Sequence, residues 1–191
     1  MKMPNSTADK ILDTAHALIA DRGYAAFSYA DISSEVKVSK ATIHHHFPSK
    51  EILVVSVLRQ HRHRLGEGIA SLNDAVANPL ERLKAYMSHW ESCIEKKTEP
   101  FCIAALLGAE LPSLPSEVAA EVRLHFVDLH RWLQQTLEAG AKQKSIHLTQ
   151  TASDEAEFMM ATVHGAMISA RAYQSPKVFA QIVNATLQRL S

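Results

Sequence analysis

The sequence predicts an all-α protein, with an N-terminal three-helix, helix-turn-helix domain over residues 1–52 and a larger helical domain over residues 53–191. Three observations carry this. Apolar residues recur at three- and four-residue spacing along most of the chain, the period of amphipathic helices. The 191 residues include only six Gly and seven Pro, too few turn formers for an all-β fold. Residues 28–50 are punctuated as two short helices, a tight turn and the start of a third. With 47% hydrophobic residues the chain can bury a core.

The elements follow in order. Ala8, Ile11, Leu12, Ala15, Leu18 and Ile19 form one stripe of a helix over residues 8–22, ended by Gly23. Ser28 and Ser39 are N-caps of the next two helices, each with a hydroxyl able to accept from first-turn N–H groups. Ile32 and Val36 share a face of the first, and Val38, Ile43 and Phe47 anchor the second. What remains around the second is polar: Lys37, Ser39, Lys40, Thr42, His44, His45 and His46. A fourth helix runs from Lys50 to about Leu65, closed by His61-Arg62-His63-Arg64, since cations are favourable near a helix C-terminus. Helices are then expected over residues 79–96, over residues 101–110 after Pro100, from Ser116 to about Ala139 with Gly140 as the stop, from a Ser153 cap to about Gln174, and from Pro176 onward.

Composition excludes several classes. No apolar run approaches the roughly 20 residues that span a bilayer, and the first ten residues lack the apolar core of a signal peptide. A cytoplasmic protein without a membrane role is expected. Two cysteines, Cys93 and Cys102, are too few for a disulfide framework. The histidines give no metal-site spacing: His61 and His63 are two apart, His44, His45 and His46 are consecutive, and His125 with Asp128 is only a weak pair. Solvated or partner-facing histidines, and no metal, are the reading. With no Gly-rich phosphate loop, nucleophile motif or paired carboxylates, no enzyme and no cofactor are expected. Net charge is zero overall, but residues 1–64 hold nine Lys and Arg against six Asp and Glu, and residues 65–191 hold eleven against fourteen. That asymmetry suits a basic reader joined to a more acidic body.

The run Asp21-Arg22-Gly23-Tyr24, then Phe27-Ser28, Asp31-Ile32-Ser33, Val36-Lys37-Val38 and the segment from Ser39 through Phe47-Pro48-Ser49-Lys50-Glu51 resembles, without a gap from about Ile11 to Leu53, the DNA-binding signature of the tetracycline-repressor (TetR/AcrR) family. It departs at His44, where the family usually has Tyr against the DNA backbone, and at Ala41, where Gly is common. The segment from Phe101 to Glu110 also resembles the electrophile-sensing branch of that family, which includes the repressor named for N-ethylmaleimide.

The resemblance implies a helix-turn-helix DNA-binding domain followed by a helical ligand-binding and dimerisation domain. The partners it implies are double-stranded DNA carrying a palindromic operator, a second copy of the chain in a homodimer, and an unidentified small hydrophobic effector. The expected DNA-contacting residues are Ser28, Tyr29, Lys37, Ser39, Lys40, Ala41, Thr42, His44, His45 and Lys50. Among them Lys40, Thr42 and His45 are assigned to groove contacts, and Ser39, His44 and Lys50 to phosphate. Tyr29 is assigned to the backbone through its hydroxyl. Expected effector contacts are Met87, Trp90, Phe101, Cys102, Leu106, Phe126, Met159 and His164, apolar positions with a few polar groups. The expected dimer face is Ala161, Gly165, Ile168, Ala172, Phe179, Ile182 and Val183. The function implied is a repressor released by its effector. Two alternatives stand beside it: a thiol sensor using Cys102, at a helix start near Lys96 and Lys97, and a helical small-molecule-binding protein with no DNA role.

Overall fold

The computed structural model describes residues 6–99 and 101–190, and these fold into helices α1 (Thr7–Arg22), α2 (Tyr29–Val36), α3 (Lys40–His46), α4 (Lys50–Ala75), α5 (Pro79–Lys96), α6 (Ile103–Ala109), α7 (Ser116–Lys142), α8 (Ala152–Ala172) and α9 (Pro176–Leu190), with one 3₁₀ turn at Leu111–Ser113. Among the described residues no helix is long and apolar enough to cross a membrane.

Packing divides the chain into two compact units. The first takes the described residues up to Arg64 together with Phe101–His125, and is therefore larger than the 1–52 segment read from the sequence. Its centre is Ile11, Ile19, Ile32, Ile43, Leu53 and Leu58, all fully buried. Local chemistry fixes its helices. Ser6 and Ser28 each form a capping box with the Asp three residues on, satisfying two orphan donors at each helix start. Ser39 caps α3 by accepting from the Thr42 N–H. The second unit holds the remaining residues. There α8 and α9 pack on each other and α5 packs on α9. The Tyr86 ring meets Trp132 edge-on at 5.1 Å, and the Trp132 indole N–H donates to Asn73 Oδ1 at 3.3 Å.

Four boundaries differ from the sequence reading, each for a local reason. The basic run His61–Arg64 does not end α4, which continues for ten residues past Leu65. Gly66 and Gly68 sit in open space inside it, and each costs the helix only about 1 kcal/mol relative to alanine. Gly140 is not a stop signal, because α7 runs on to Lys142. Gly140 is buried, and the Ile146 side chain occupies the place a Cβ would take. Thr151, not Ser153, caps α8 by accepting from the Asp154 N–H. The sixth helix begins at Ile103 with Cys102 as N-cap, and the Pro100 assigned as its start lies outside the described residues.

Candidate functional site

The polar face read on α3 is on the surface. Lys37, Ser39, Lys40, Ala41, His44, His45 and His46 are exposed, and Thr42 is half-buried. Ile43 and Phe47 hold the helix down from behind. The turn before it is set by Lys37, which ends α2 in the left-handed conformation at φ 62°, and by the Ser33 hydroxyl donating to the Val38 carbonyl at 2.6 Å. The Ser39 and Thr42 hydroxyls are hydrogen-bonded to each other at 2.9 Å. His44 places its ring 4.7 Å from Tyr29 and Nδ1 3.3 Å from the Pro48 carbonyl.

Three assigned DNA contacts have other work in this structure. The Lys50 ammonium points inward: it donates to the Phe27 carbonyl at 2.6 Å and lies over the Tyr24 and Phe27 rings at 4.7 and 4.2 Å. Burial there lowers its pKa. In this arrangement a carbonyl and two ring faces hold the charge that the sequence reading assigned to a phosphate. Tyr29 is buried, and its hydroxyl donates to the Phe47 carbonyl at 2.7 Å, so its assignment to the DNA backbone is corrected. Burial, with Tyr24 beside it, pushes that phenol up to about 12, so it remains a donor across the accessible pH range. Ser28 is exposed, but its hydroxyl is engaged in the cap with Asp31, and these Ser28 hydrogen bonds lower the Asp31 carboxyl pKa.

A second set of contacts in the first unit was not read from the sequence at all. The Glu110 carboxylate accepts from the Tyr24 N–H at 2.9 Å and lies against Gly23. Glu121, 6% exposed, accepts from Arg59 Nε and Arg62 Nη1, each at 2.7 Å. Burial raises the pKa of that carboxyl, but the two guanidinium groups outweigh it and the net direction is down. His61 and His125 are buried beside Cys102, which overturns their reading as solvated histidines. These partners are 86, 62, 59, 41 and 23 residues apart, so no local spacing signalled them.

The expected effector contacts are split between the units. Phe101, Cys102 and Leu106 belong to the first, and Met87, Trp90, Phe126, Met159 and His164 to the second. In the second unit a surface groove of about 470 Å³ lies between α5 and α9, but of the expected residues only Met87 lines it; Lys84, Ser88, Glu91, Asn184 and Gln188 make it polar. Trp90 Nε1 is buried with no hydrogen-bond partner among the described residues. His164 meets the Phe126 ring edge-on at 5.3 Å, and burial lowers its pKa to about 4. Between pH 6.5 and 4 the unfolded chain binds a proton there that the folded chain does not, so stability should fall as pH drops through that window, by at most about 3 kcal/mol. Urea unfolding at pH 7 and pH 5 checks this: His164→Gln should flatten the difference, and an equal pH loss in the variant would remove His164 as its source.

Of the expected dimer face, Ala161, Gly165, Ile168 and Ala172 form an exposed stripe on α8, with Ile168 58% exposed and nothing near Gly165. Phe179 and Val183 are corrected to protomer core, at 0% and 2% exposure, because α9 turns that face toward α5 and α8. Ile182 is half-buried.

An exposed, capped third helix on a small buried core, followed by a larger helical body, is a helix-turn-helix arrangement on an all-helical protein. Residues 11–57 match the model of bacterial regulatory proteins of the tetR family, and residues 79–186 match the tetracyclin repressor-like C-terminal domain. The chain belongs to the TetR family of transcriptional regulators. A solved TetR-family regulator from Agrobacterium tumefaciens is 49% identical, with 97% of both chains covered and a TM-score of 0.95. The transcriptional repressor KstR2 of Mycobacterium tuberculosis is 35% identical over 89 residues, covering 46% of this chain and 44% of that one. The chain thus matches about half the length of such curated relatives. The reduced form of NemR from E. coli is 20% identical, with 97% of this chain and 98% of that one covered and a TM-score of 0.84. A likeness at that identity speaks for the fold alone and does not assign this chain to the electrophile-sensing branch.

Proposed function

We propose that this protein is a homodimeric, effector-responsive repressor that reads a palindromic operator through α3. The observation that carries the reading is the exposed Lys40, Ala41, His44 and His45 face, with Ser39 and Lys37 at its start, presented on a buried core. A short donor-rich helix of this kind fits a major groove. The α8 stripe of Ala161, Gly165, Ile168 and Ala172 supports pairing with a second copy, because small residues allow close helix approach and the apolar surface is otherwise exposed. Two modules on a two-fold axis would meet half-sites about one helical turn, roughly 34–36 Å, or a multiple apart.

For the effector, the second unit favours a largely apolar molecule with a hydrogen-bond acceptor. The unpartnered Trp90 N–H supplies the donor, neutral His164 a second polar group, and Met87, Phe126 and Met159 adaptable apolar contacts. The thiol-sensor alternative gains no support from exposure, since Cys102 is 1% exposed and a solution electrophile needs access to a thiolate. Selection of bound sequences from a random DNA pool tests the DNA reading. Wild-type protein should enrich an inverted repeat, with binding that weakens steeply as salt rises. Ile168→Glu should give a monomer by sedimentation and lose that enrichment. A dimer with no sequence preference would overturn the reading.

A further inference from the structure

We propose that His61, Cys102 and His125 form a three-ligand site for one thiophilic d¹⁰ metal ion, zinc(II) or copper(I). The residues come from α4, the N-cap of α6 and α7, and all three lie in the first unit. Cys102 Sγ is 3.9 Å from His61 Nε2 and 3.7 Å from His125 Nε2, and the three ligand atoms all lie within 4.8 Å of one another. Zinc–sulfur and zinc–nitrogen bonds of about 2.3 and 2.0–2.1 Å, at tetrahedral to trigonal angles, separate S and N by about 3.5–3.8 Å. Of the observed sulfur–nitrogen spacings, 3.7 Å falls inside that range and 3.9 Å just outside it, while the two nitrogens, within 4.8 Å of each other, would draw together to about 3.3–3.6 Å around an ion.

The donor set selects the metal class. One thiolate and two imidazoles are soft to borderline ligands, suited to zinc and copper(I) and poorly suited to magnesium or calcium. The residues are 8%, 1% and 2% exposed, so the ligands sit in a low-dielectric setting where a thiolate offsets the charge of the cation. Both imidazoles offer Nε2, the atom a neutral ring presents when its proton is on Nδ1.

The surrounding structure prearranges these ligands. Arg59 and Arg62, which flank His61 on α4, both bind Glu121, one helical turn before His125 on α7. That clamp fixes the two histidine-bearing helices in register next to the sulfur. Cys102 is an N-cap whose side chain makes no cap hydrogen bond, so the sulfur is turned to the imidazoles and not to the α6 backbone. The competing description is a pair of thiol–imidazole hydrogen bonds. A thiol has one proton, so one imidazole would accept from sulfur and the other would donate to it.

The site stands apart from the DNA-binding reading, and its test uses no DNA. Full-length protein, reduced and stripped of metal by chelator, is titrated anaerobically with cobalt(II) as the zinc probe, and separately with copper(I) in competition with bicinchoninate. The expected result is one ion per chain in at least one arm. In the cobalt arm a thiolate-to-cobalt charge-transfer band appears and zinc(II) abolishes it; in the copper arm the protein withholds copper(I) from the chelator. Cys102→Ser and His125→Gln should each weaken binding by more than about 100-fold, since loss of a ligand should exceed the 10–100-fold cost of losing an outer partner. Cys93→Ser should bind like the parent. Folded wild-type protein that shows no thiolate band and yields its copper(I) to bicinchoninate overturns the site, whatever the variants do. So does binding that survives Cys102→Ser or disappears in Cys93→Ser.

Discussion

Gly23→Ala is expected to cost about 3 kcal/mol of folding stability, a large share of the total for a domain of this size. Gly23 closes α1 at φ 78° and ψ −173°, a region that is essentially reserved for glycine. Forcing alanine into it costs on the order of 1–3 kcal/mol. A Cβ there would also overlap the Glu110 carboxylate, which accepts from the Tyr24 N–H at 2.9 Å. Moving that carboxylate forfeits a charge-assisted hydrogen bond, worth about 1–2 kcal/mol in a half-buried setting. Urea unfolding with an unchanged slope measures the loss. Glu110→Ala alone should cost about 1 kcal/mol. Combined with Gly23→Ala it should cost less than the sum, because the overlap is gone while the backbone strain remains. A Gly23→Ala protein within about 0.5 kcal/mol of the parent would show that the turn relaxes freely.

The second large effect is on operator affinity and separates two lysines that the sequence reading placed on DNA, Lys40 in the groove and Lys50 on phosphate. Lys40 is exposed at the first position of α3, and a dimer would carry two copies into the groove. Lys40→Ala should weaken specific binding by about 30- to 1000-fold, relax sequence preference at the contacted position, and leave stability within about 0.5 kcal/mol. Lys50→Ala should do the reverse. Its ammonium holds the Phe27 carbonyl and two rings, so the loss is about 1–2 kcal/mol of stability, with the salt slope unchanged. Titrations by fluorescence anisotropy at four salt concentrations, paired with unfolding curves, separate the two outcomes. A Lys50→Ala protein of full stability with a reduced salt slope would mean that the ammonium swings outward to phosphate.

Much of the local information was legible, although the cap of α8 is Thr151 and not Ser153 and the basic run at His61–Arg64 does not end α4. Ser28 and Ser39 cap as read, the α1 stripe is buried at Ile11, Ala15 and Ile19, and Pro79 and Pro176 mark helix starts. Side-chain direction was harder. Lys50 reads as a cation at a helix N-terminus, and only the fold shows the Phe27 carbonyl within its reach. Glycine was ambiguous for a similar reason: Gly23 ends a helix and Gly140 does not, because Gly140 answers to Ile146 across the α7 turn and not to helix propensity. The buried histidines were misread because a two-residue spacing on one helix says nothing about the side chains that pack on it from another. In α9 the apolar period was right, but period alone cannot tell a face turned toward α8 from one left for a second chain, as Phe179 and Val183 show.

The joining of residues 101–125 to the first 64 has a practical corollary for anyone building hybrid regulators. Transplanting a foreign reader by splicing at the middle of α4 would leave behind Glu110 and Glu121, the acceptors for Tyr24, Arg59 and Arg62. A working chimera has to import both pieces of chain from the same donor, or re-engineer those two carboxylates to suit the newcomer.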